Sequence, residues 1–227
     1  LAGVNVTAVT DIDRDRAEAA APPEAEVFDM PQNLIRSDRV DAVVICSWGP
    51  AHEEQLLDCI AAGKPVFCEK PLALTEASAE RILAASAKAK GVLGIGHERR
   101  FEPALEEMRR LYDDGTLGKL LHMDANVSHS NFRAMDPSNW RRDPKHAPAG
   151  AWTALGIHLG DMMVSLAGQP VRVAARTASQ IFAAPSEDYV SAEIDFADGA
   201  LGRITCLSTP PFYGRFTLFG DQGWVEV

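Results

Sequence analysis

Glu69-Lys70-Pro71 is the sharpest local chemical signal in this 227-residue sequence. It directly follows Val66-Phe67-Cys68, a short apolar run of strand character. A lysine at a strand end, beside a carboxylate and a proline suited to a cis or tight bend, is placed to face a cleft. There it can give a proton or a hydrogen bond to a substrate oxygen. The competing account is a solvated lysine paired with Glu69, and by spacing alone that account leads. Asp11 ends an earlier strand, where an acid in a dinucleotide-binding fold bonds the ribose hydroxyls of adenosine. Its charge repels a 2′-phosphate and so favours NAD over NADP, while Arg14 keeps NADP open. The alternative, an Asp that starts a turn or caps the helix at Arg14–Ala21, has equal weight. Ser47-Trp48-Gly49-Pro50-Ala51-His52 follows another strand end, where open α/β sheets bind ligands. Trp48 as a loop anchor and His52 as a first-turn helix residue are the plainer readings.

Trp140, Arg141, Arg142 and His146 lie in an irregular stretch. An aromatic and basic loop can shape a polyol or acidic-sugar pocket, and ordinary loop packing competes equally. His97, His122 and His129 have no metal-ligand spacing and read as surface or packed residues. Cys46, Cys59, Cys68 and Cys206 form no CxxC pair and read as reduced thiols of a cytosolic protein. None has a base at a recognisable spacing.

The elements that must position these groups alternate through the first hundred residues. Strands are expected at Val4–Thr10, Asp41–Cys46, Pro65–Cys68 and Val92–Gly96, short apolar runs typical of parallel strands covered on both faces. Helices are expected at Arg14–Ala21, at His52–Ala62 with Gly63 closing it, and at Glu76–Lys90 with Thr75 as N-cap and Gly91 as stop. Repeated strand–helix–strand units imply a doubly wound α/β domain. After about residue 100 the pattern changes. A helix is expected at Pro103–Asp113, a strand at Leu120–Ser128, an irregular stretch over 129–150, and a helix at Trp152–Ala167 with Leu159, Met162, Met163 and Leu166 as its buried stripe. From Val171 onward the signals are strands. Val190, Ala192, Ile194 and Phe196 alternate, and Asp198-Gly199 turns a hairpin. Strands at Leu201–Ser208 and Arg215–Phe219 extend a largely antiparallel sheet.

Composition bounds the function. Apolar residues make up 46% and charged residues 24%, so a folded globular chain is expected. The net charge of −10 argues against nucleic-acid binding. No apolar run approaches the roughly 20 residues of a membrane helix, and no signal peptide opens the chain. Both ends read as cut: residue 1 is Leu, and the strand signal at Gly223–Val227 stops without a turn.

Gly63-Lys64-Pro65-Val66-Phe67-Cys68-Glu69-Lys70-Pro71-Leu72 strongly resembles the Gfo/Idh/MocA oxidoreductases, the glucose–fructose oxidoreductase and inositol dehydrogenase group. The resemblance continues through Gly96–Pro103, Gly115–Gly118, Gly156-Ile157-His158 with Asp161, Asp188-Tyr189, Asp198–Ala200, and Gly220 with Gly223. It implies a Rossmann-type doubly wound parallel sheet over 1–100 that lacks its first strand and glycine loop, which are expected before Leu1. An α+β domain with a largely antiparallel open sheet would follow over 101–227 and carry substrate and oligomer contacts. It further implies an NAD cofactor, with NADP possible, and hydride transfer to or from a secondary alcohol or carbonyl of a sugar, cyclitol or related polyol. Lys70 and His158 take the catalytic positions. The cofactor set is Asp11, Ser47, Trp48, His52, Glu69 and Lys70. The substrate set is Arg100, Trp140, Arg141 and His158, with no metal. A cytoplasmic homo-oligomer, without nucleic-acid or membrane partners, completes the expectation.

One departure matters. Many members carry Asp four residues before the catalytic histidine, on the same helix face; here that position is Ala154. His158 then works alone, takes another partner, with Asp161, His146 and Arg141 nearest in sequence, or serves only in binding. Ala154 therefore keeps open a dinucleotide-binding sensor or partner protein without catalysis, and the shared scaffold keeps open an NAD-dependent glycosidase, since related proteins use NAD without net redox change to cleave glycosidic bonds.

Overall fold

The structure is a computed structural model and describes residues 3–227; Leu1, where the first domain is expected to start, lies outside them. The chain divides into two compact units, Leu1–Gly96 and His97–Val227.

The first unit alternates strand and helix: β1 (Ala8–Thr10), α1 (Arg14–Ala20), β2 (Glu26–Phe28), α2 (Pro31–Arg36), β3 (Val43–Ile45), α3 (His52–Ala61), β4 (Val66–Cys68), α4 (Glu76–Ala89) and β5 (Leu93–Ile95). Helical crossovers return each strand in the same direction, so β1 pairs with β2, β3 with β4, and β4 with β5, all in parallel. Val43, Ile45, Val66 and Cys68 share one face and pack on Leu34, Ile35, Leu56, Cys59 and Ile82 from α2, α3 and α4. On the opposite face two side chains are exposed. Val44 is 67% and Phe67 43% exposed, because period-two alternation turns them away from the helices that fill this core.

Three local details also differ from the sequence expectation. Val4 and Val6 are exposed, and the first strand shortens to Ala8–Thr10, since β2 offers only three partner residues before Pro31 opens α2. Strand β2 and helix α2 were not expected at all. Helix α4 starts as foreseen, with the Thr75 side chain accepting from the Ser78 N–H. It ends on Lys90 at φ 54°, so Lys90 rather than Gly91 takes the left-handed turn.

The second unit holds α5 (Pro103–Asp113), β6 (Leu120–Ser128), α6 (Ile157–Ala167), β7 (Pro170–Ala178), β8 (Tyr189–Phe196), β9 (Leu201–Leu207), β10 (Tyr213–Gly220) and β11 (Trp224–Glu226). Their sheet runs β11-β10-β6-β9-β8-β7, antiparallel except for the central β6–β9 pair. Alternate residues Met123, Ala125 and Val127 of β6, with Val190, Ile194 and Phe196 of β8, meet Leu159, Met162, Met163 and Leu166 of α6. The expected helix from Trp152 is not uniform: residues Trp152–Gly156 form a π-helical turn before α6 begins. A Cβ at Gly156 would lie 2.7 Å from the Trp152 ring, so the indole occupies the space that a larger residue would need. Among the described residues no helix is long and apolar enough to cross a membrane.

Candidate active site

In the first unit the relevant groups sit at the C-terminal ends of parallel strands. Asp11 follows β1 and is exposed; its Oδ1 accepts the Asp13 N–H at 2.9 Å. Capping of α1 belongs to Asp13, whose side chain accepts from the N–H groups of Asp15 and Arg16. Arg14 is engaged by Glu18, at 2.7 Å, and by Asp29.

Beyond β3, the Ser47 hydroxyl donates to Gln55 Oε1 at 2.7 Å, and Trp48 is 43% exposed. His52 opens α3 and is only 1% exposed. Its Nδ1 lies 2.7 Å from the Pro71 carbonyl oxygen and its Nε2 2.9 Å from that of Ser47. Both ring nitrogens thus lie within hydrogen-bond distance of backbone carbonyl oxygens.

Beyond β4, the Lys70–Pro71 peptide is cis. The Lys70 N–H donates to Glu69 Oε2 at 3.2 Å, and the Glu69 carboxyl group folds towards Gly96. Burial and then the Glu69 charge push the Cys68 thiol up to about 12. It therefore stays protonated near neutral pH and is no nucleophile.

In the second unit a charged cluster surrounds the start of α6. His158 is buried, and its Nδ1 lies 3.8 Å from Glu98 Oε2. Its ring meets that of His97 edge-on, with centroids 6.1 Å apart. Asp161, one turn on, accepts from Arg100 Nε at 2.6 Å and also from its Nη2, and lies 3.7 Å from His97 Nδ1. The Asp161 hydrogen bond raises the Arg100 pKa. Glu98 and His97 are what sequence reading missed. Glu98 carried no signal, and His97 reads as a packed residue because nothing local to it shows that α6 returns beside it.

Arg141 stacks its guanidinium 4.3 Å above the Trp140 ring, Arg142 lies 4.2 Å over Phe182, and His146 sits 3.3 Å from Asp143. Ser186 Oγ donates to the Arg142 carbonyl at 2.7 Å, tying the 129–150 stretch to the β7–β8 connection. That connection is ordered by Asp188, which is buried and accepts the N–H groups of Gln180, Ile181 and Phe182 at 2.9, 2.6 and 2.7 Å. Among the described residues no group of three or more His, Cys, Asp or Glu is gathered to hold a metal.

Residues 2–97 match the profile of an oxidoreductase family with an NAD-binding Rossmann fold, and residues 105–226 match the GFO/IDH/MocA C-terminal domain. The chain belongs to the Gfo/Idh/MocA family. An inositol 2-dehydrogenase of Paracoccus denitrificans is 43% identical over 137 residues, which is 59% of this chain and 40% of that protein. One from Burkholderia multivorans is 39% identical over 231 residues, covering all of this chain and 60% of its own. The crystal structure of a putative myo-inositol dehydrogenase from Sinorhizobium meliloti superposes with a TM-score of 0.88 at 28% identity, covering 100% of this chain and 69% of its own. This Gfo/Idh/MocA chain thus spans between two fifths and three fifths of the two named relatives' lengths.

Proposed function

We propose that this chain forms the cofactor and substrate machinery of an NAD-dependent dehydrogenase that oxidises a secondary alcohol of a cyclitol such as myo-inositol. The observation that carries this reading is the Glu69–Lys70–Pro71 turn at the C-terminal end of β4, in a chain 43% identical over 137 residues to an inositol 2-dehydrogenase.

The residues present fit a dinucleotide. Asp11, Ser47–Trp48 and Glu69–Lys70 follow the C-terminal ends of parallel strands, where such folds receive their ligands. Asp11 keeps an exposed carboxylate for the ribose hydroxyls, and Arg14, engaged by Glu18 and Asp29, is poorly placed to receive a 2′-phosphate. When bound, NAD supplies the hydride acceptor. Lys70 hydrogen-bonds the reacting oxygen, and His158 takes or relays the hydroxyl proton. Trp140 and Arg141 shape the polyol site, while Arg100 acts through Asp161. The first unit holds the cofactor. The second binds substrate and joins copies through its open sheet face, where Leu201, Phe219 and Trp224 are exposed. The cytoplasm is the compartment this chemistry and the reduced thiols suit.

A fluorescence titration of the full-length protein with NADH and NADPH tests the cofactor half. Tight NADH binding with weak NADPH binding is expected. Tight NADPH binding overturns the role given to Asp11.

A further inference from the structure

We propose that His52 is a positioning residue for Lys70, acting as a clamp between the loops that follow β3 and β4. This rests on the reading of Lys70 as the group that meets the reacting oxygen.

Lys70 sits on a turn that must be held from both sides if its amine is to keep one position. On the upstream side the Glu69 N–H donates to the Ile45 carbonyl at 2.9 Å, and the Gly96 N–H to the Cys68 carbonyl at 2.8 Å. These continue the sheet ladder and fix the chain up to Glu69. On the downstream side sheet pairing has ended. The hold there comes from His52, whose Nδ1 is 2.7 Å from the carbonyl oxygen of Pro71, the residue immediately after Lys70. The same ring reaches the Ser47 carbonyl with Nε2 at 2.9 Å. One side chain therefore bridges two strand-end loops that share no backbone ladder beyond β3 and β4.

The packing points the same way. Buried Gly49 faces Pro71 and Leu74, and a Cβ there would lie 3.6 Å from Pro71 Cγ and 3.3 Å from Leu74 Cδ2. The Ser47–Ala51 turn thus lies against the Lys70 turn on its apolar side, and His52 closes the polar side. Both of its partners are carbonyl oxygens, which only accept. A neutral imidazole has one N–H, so it donates to one of them, and a ring protonated on both nitrogens donates to both. What the position requires is a donor-bearing side chain of imidazole reach. Its burial at 1% exposure and its lack of a free nitrogen separate this role from ligand contact.

The test uses full-length protein with His52→Met, which keeps bulk and loses the donors, and His52→Gln, which keeps two amide donors. Three quantities are read: kcat and KM with NAD⁺ and myo-inositol, NADH affinity by fluorescence, and amide hydrogen exchange over residues 69–74. In His52→Met, kcat should fall by about 30- to 100-fold, the scale of an ångström-sized misplacement. NADH affinity should stay within about threefold, and exchange over 69–74 should quicken. His52→Gln should recover most of kcat and slow exchange again. Unchanged kcat and exchange in His52→Met overturn the proposal. So does a folded His52→Gln protein as impaired as His52→Met, or an equal loss of NADH affinity and kcat. If His52→Met does not fold, the Gln variant decides alone: kcat near wild type supports the clamp, and a 30-fold loss overturns it. If wild-type protein makes no NADH from any polyol, the dehydrogenase reading fails, and the exchange comparison still decides whether His52 holds the turn.

Discussion

Arg100 holds Asp161 through two of its guanidinium nitrogens, with Nε 2.6 Å from Oδ2. The pair joins the segment before α5 to the second turn of α6, on which His158 stands one turn earlier. The Asp161 side chain is 12% exposed, so the pair is shielded on one side only. Asp161→Asn halves the bond and leaves the guanidinium without its counter-charge. A loss of about 1–3 kcal/mol is expected, read as a lower urea midpoint at unchanged slope. A change below about 0.3 kcal/mol would mean that the pair is solvated in solution.

Glu98 carries the carboxylate that faces His158, at 3.8 Å from Nδ1, where Ala154 offers none. A negative charge there favours the protonated imidazole. Glu98→Gln should lower kcat by about three- to tenfold, within the range of a weakened acid–base group. An unchanged kcat would contradict this role for Glu98.

Asp188 stabilises the β7–β8 connection by accepting three backbone N–H groups while buried. Asp188→Asn replaces one acceptor oxygen with a donor that confronts an N–H. A cost of about 2–3 kcal/mol is expected, with faster amide exchange at residues 180–182. Exchange unchanged at those amides would contradict the assignment.

Buried thiols give the protein an alkaline limit. Burial raises Cys59 from 9.0 to about 11, and Cys68 and Cys206 from 9.0 to about 12. A group whose folded pKa is raised contributes stability that is complete below the unfolded pKa and disappears as pH rises through the folded one. Stability should therefore decline from about pH 9 towards pH 11–12, each thiol contributing up to about 1.4 kcal/mol per pH unit in that window. Thermal midpoints of wild type and Cys206→Ala measured from pH 8 to 11 check this: the variant starts lower and falls less steeply. Parallel curves would refute it.

Much of the fold is legible in the sequence because its signals are local. The alternation Val190, Ala192, Ile194, Phe196 faces the core as written, and the Leu159–Leu166 stripe of α6 is buried. What escapes has weak or distant signals. Strand β2 is three residues long and begins with Glu26; helix α2 is six residues long, with Met30 at its N-cap and no side-chain cap. The parallel β6–β9 pair joins strands some 80 residues apart, beyond any periodicity. The turn at Lys70 is legible from Glu69 and Pro71, since it follows directly from the strand end. The partners of the side chains are not. His52 with Pro71, Arg100 with Asp161 and Glu98 with His158 are 19, 61 and 60 residues apart in sequence, and folding alone brings them together.

The most direct test of the account is NADH formation from myo-inositol and NAD⁺ by full-length wild-type protein and its Lys70→Met variant, with NADH affinity measured in parallel. Wild type should turn over, and Lys70→Met should lose about 10²- to 10⁴-fold in kcat while binding NADH within about threefold of wild type. Equal turnover in the two proteins, or wild-type protein that binds NADH yet oxidises no cyclitol, would contradict it.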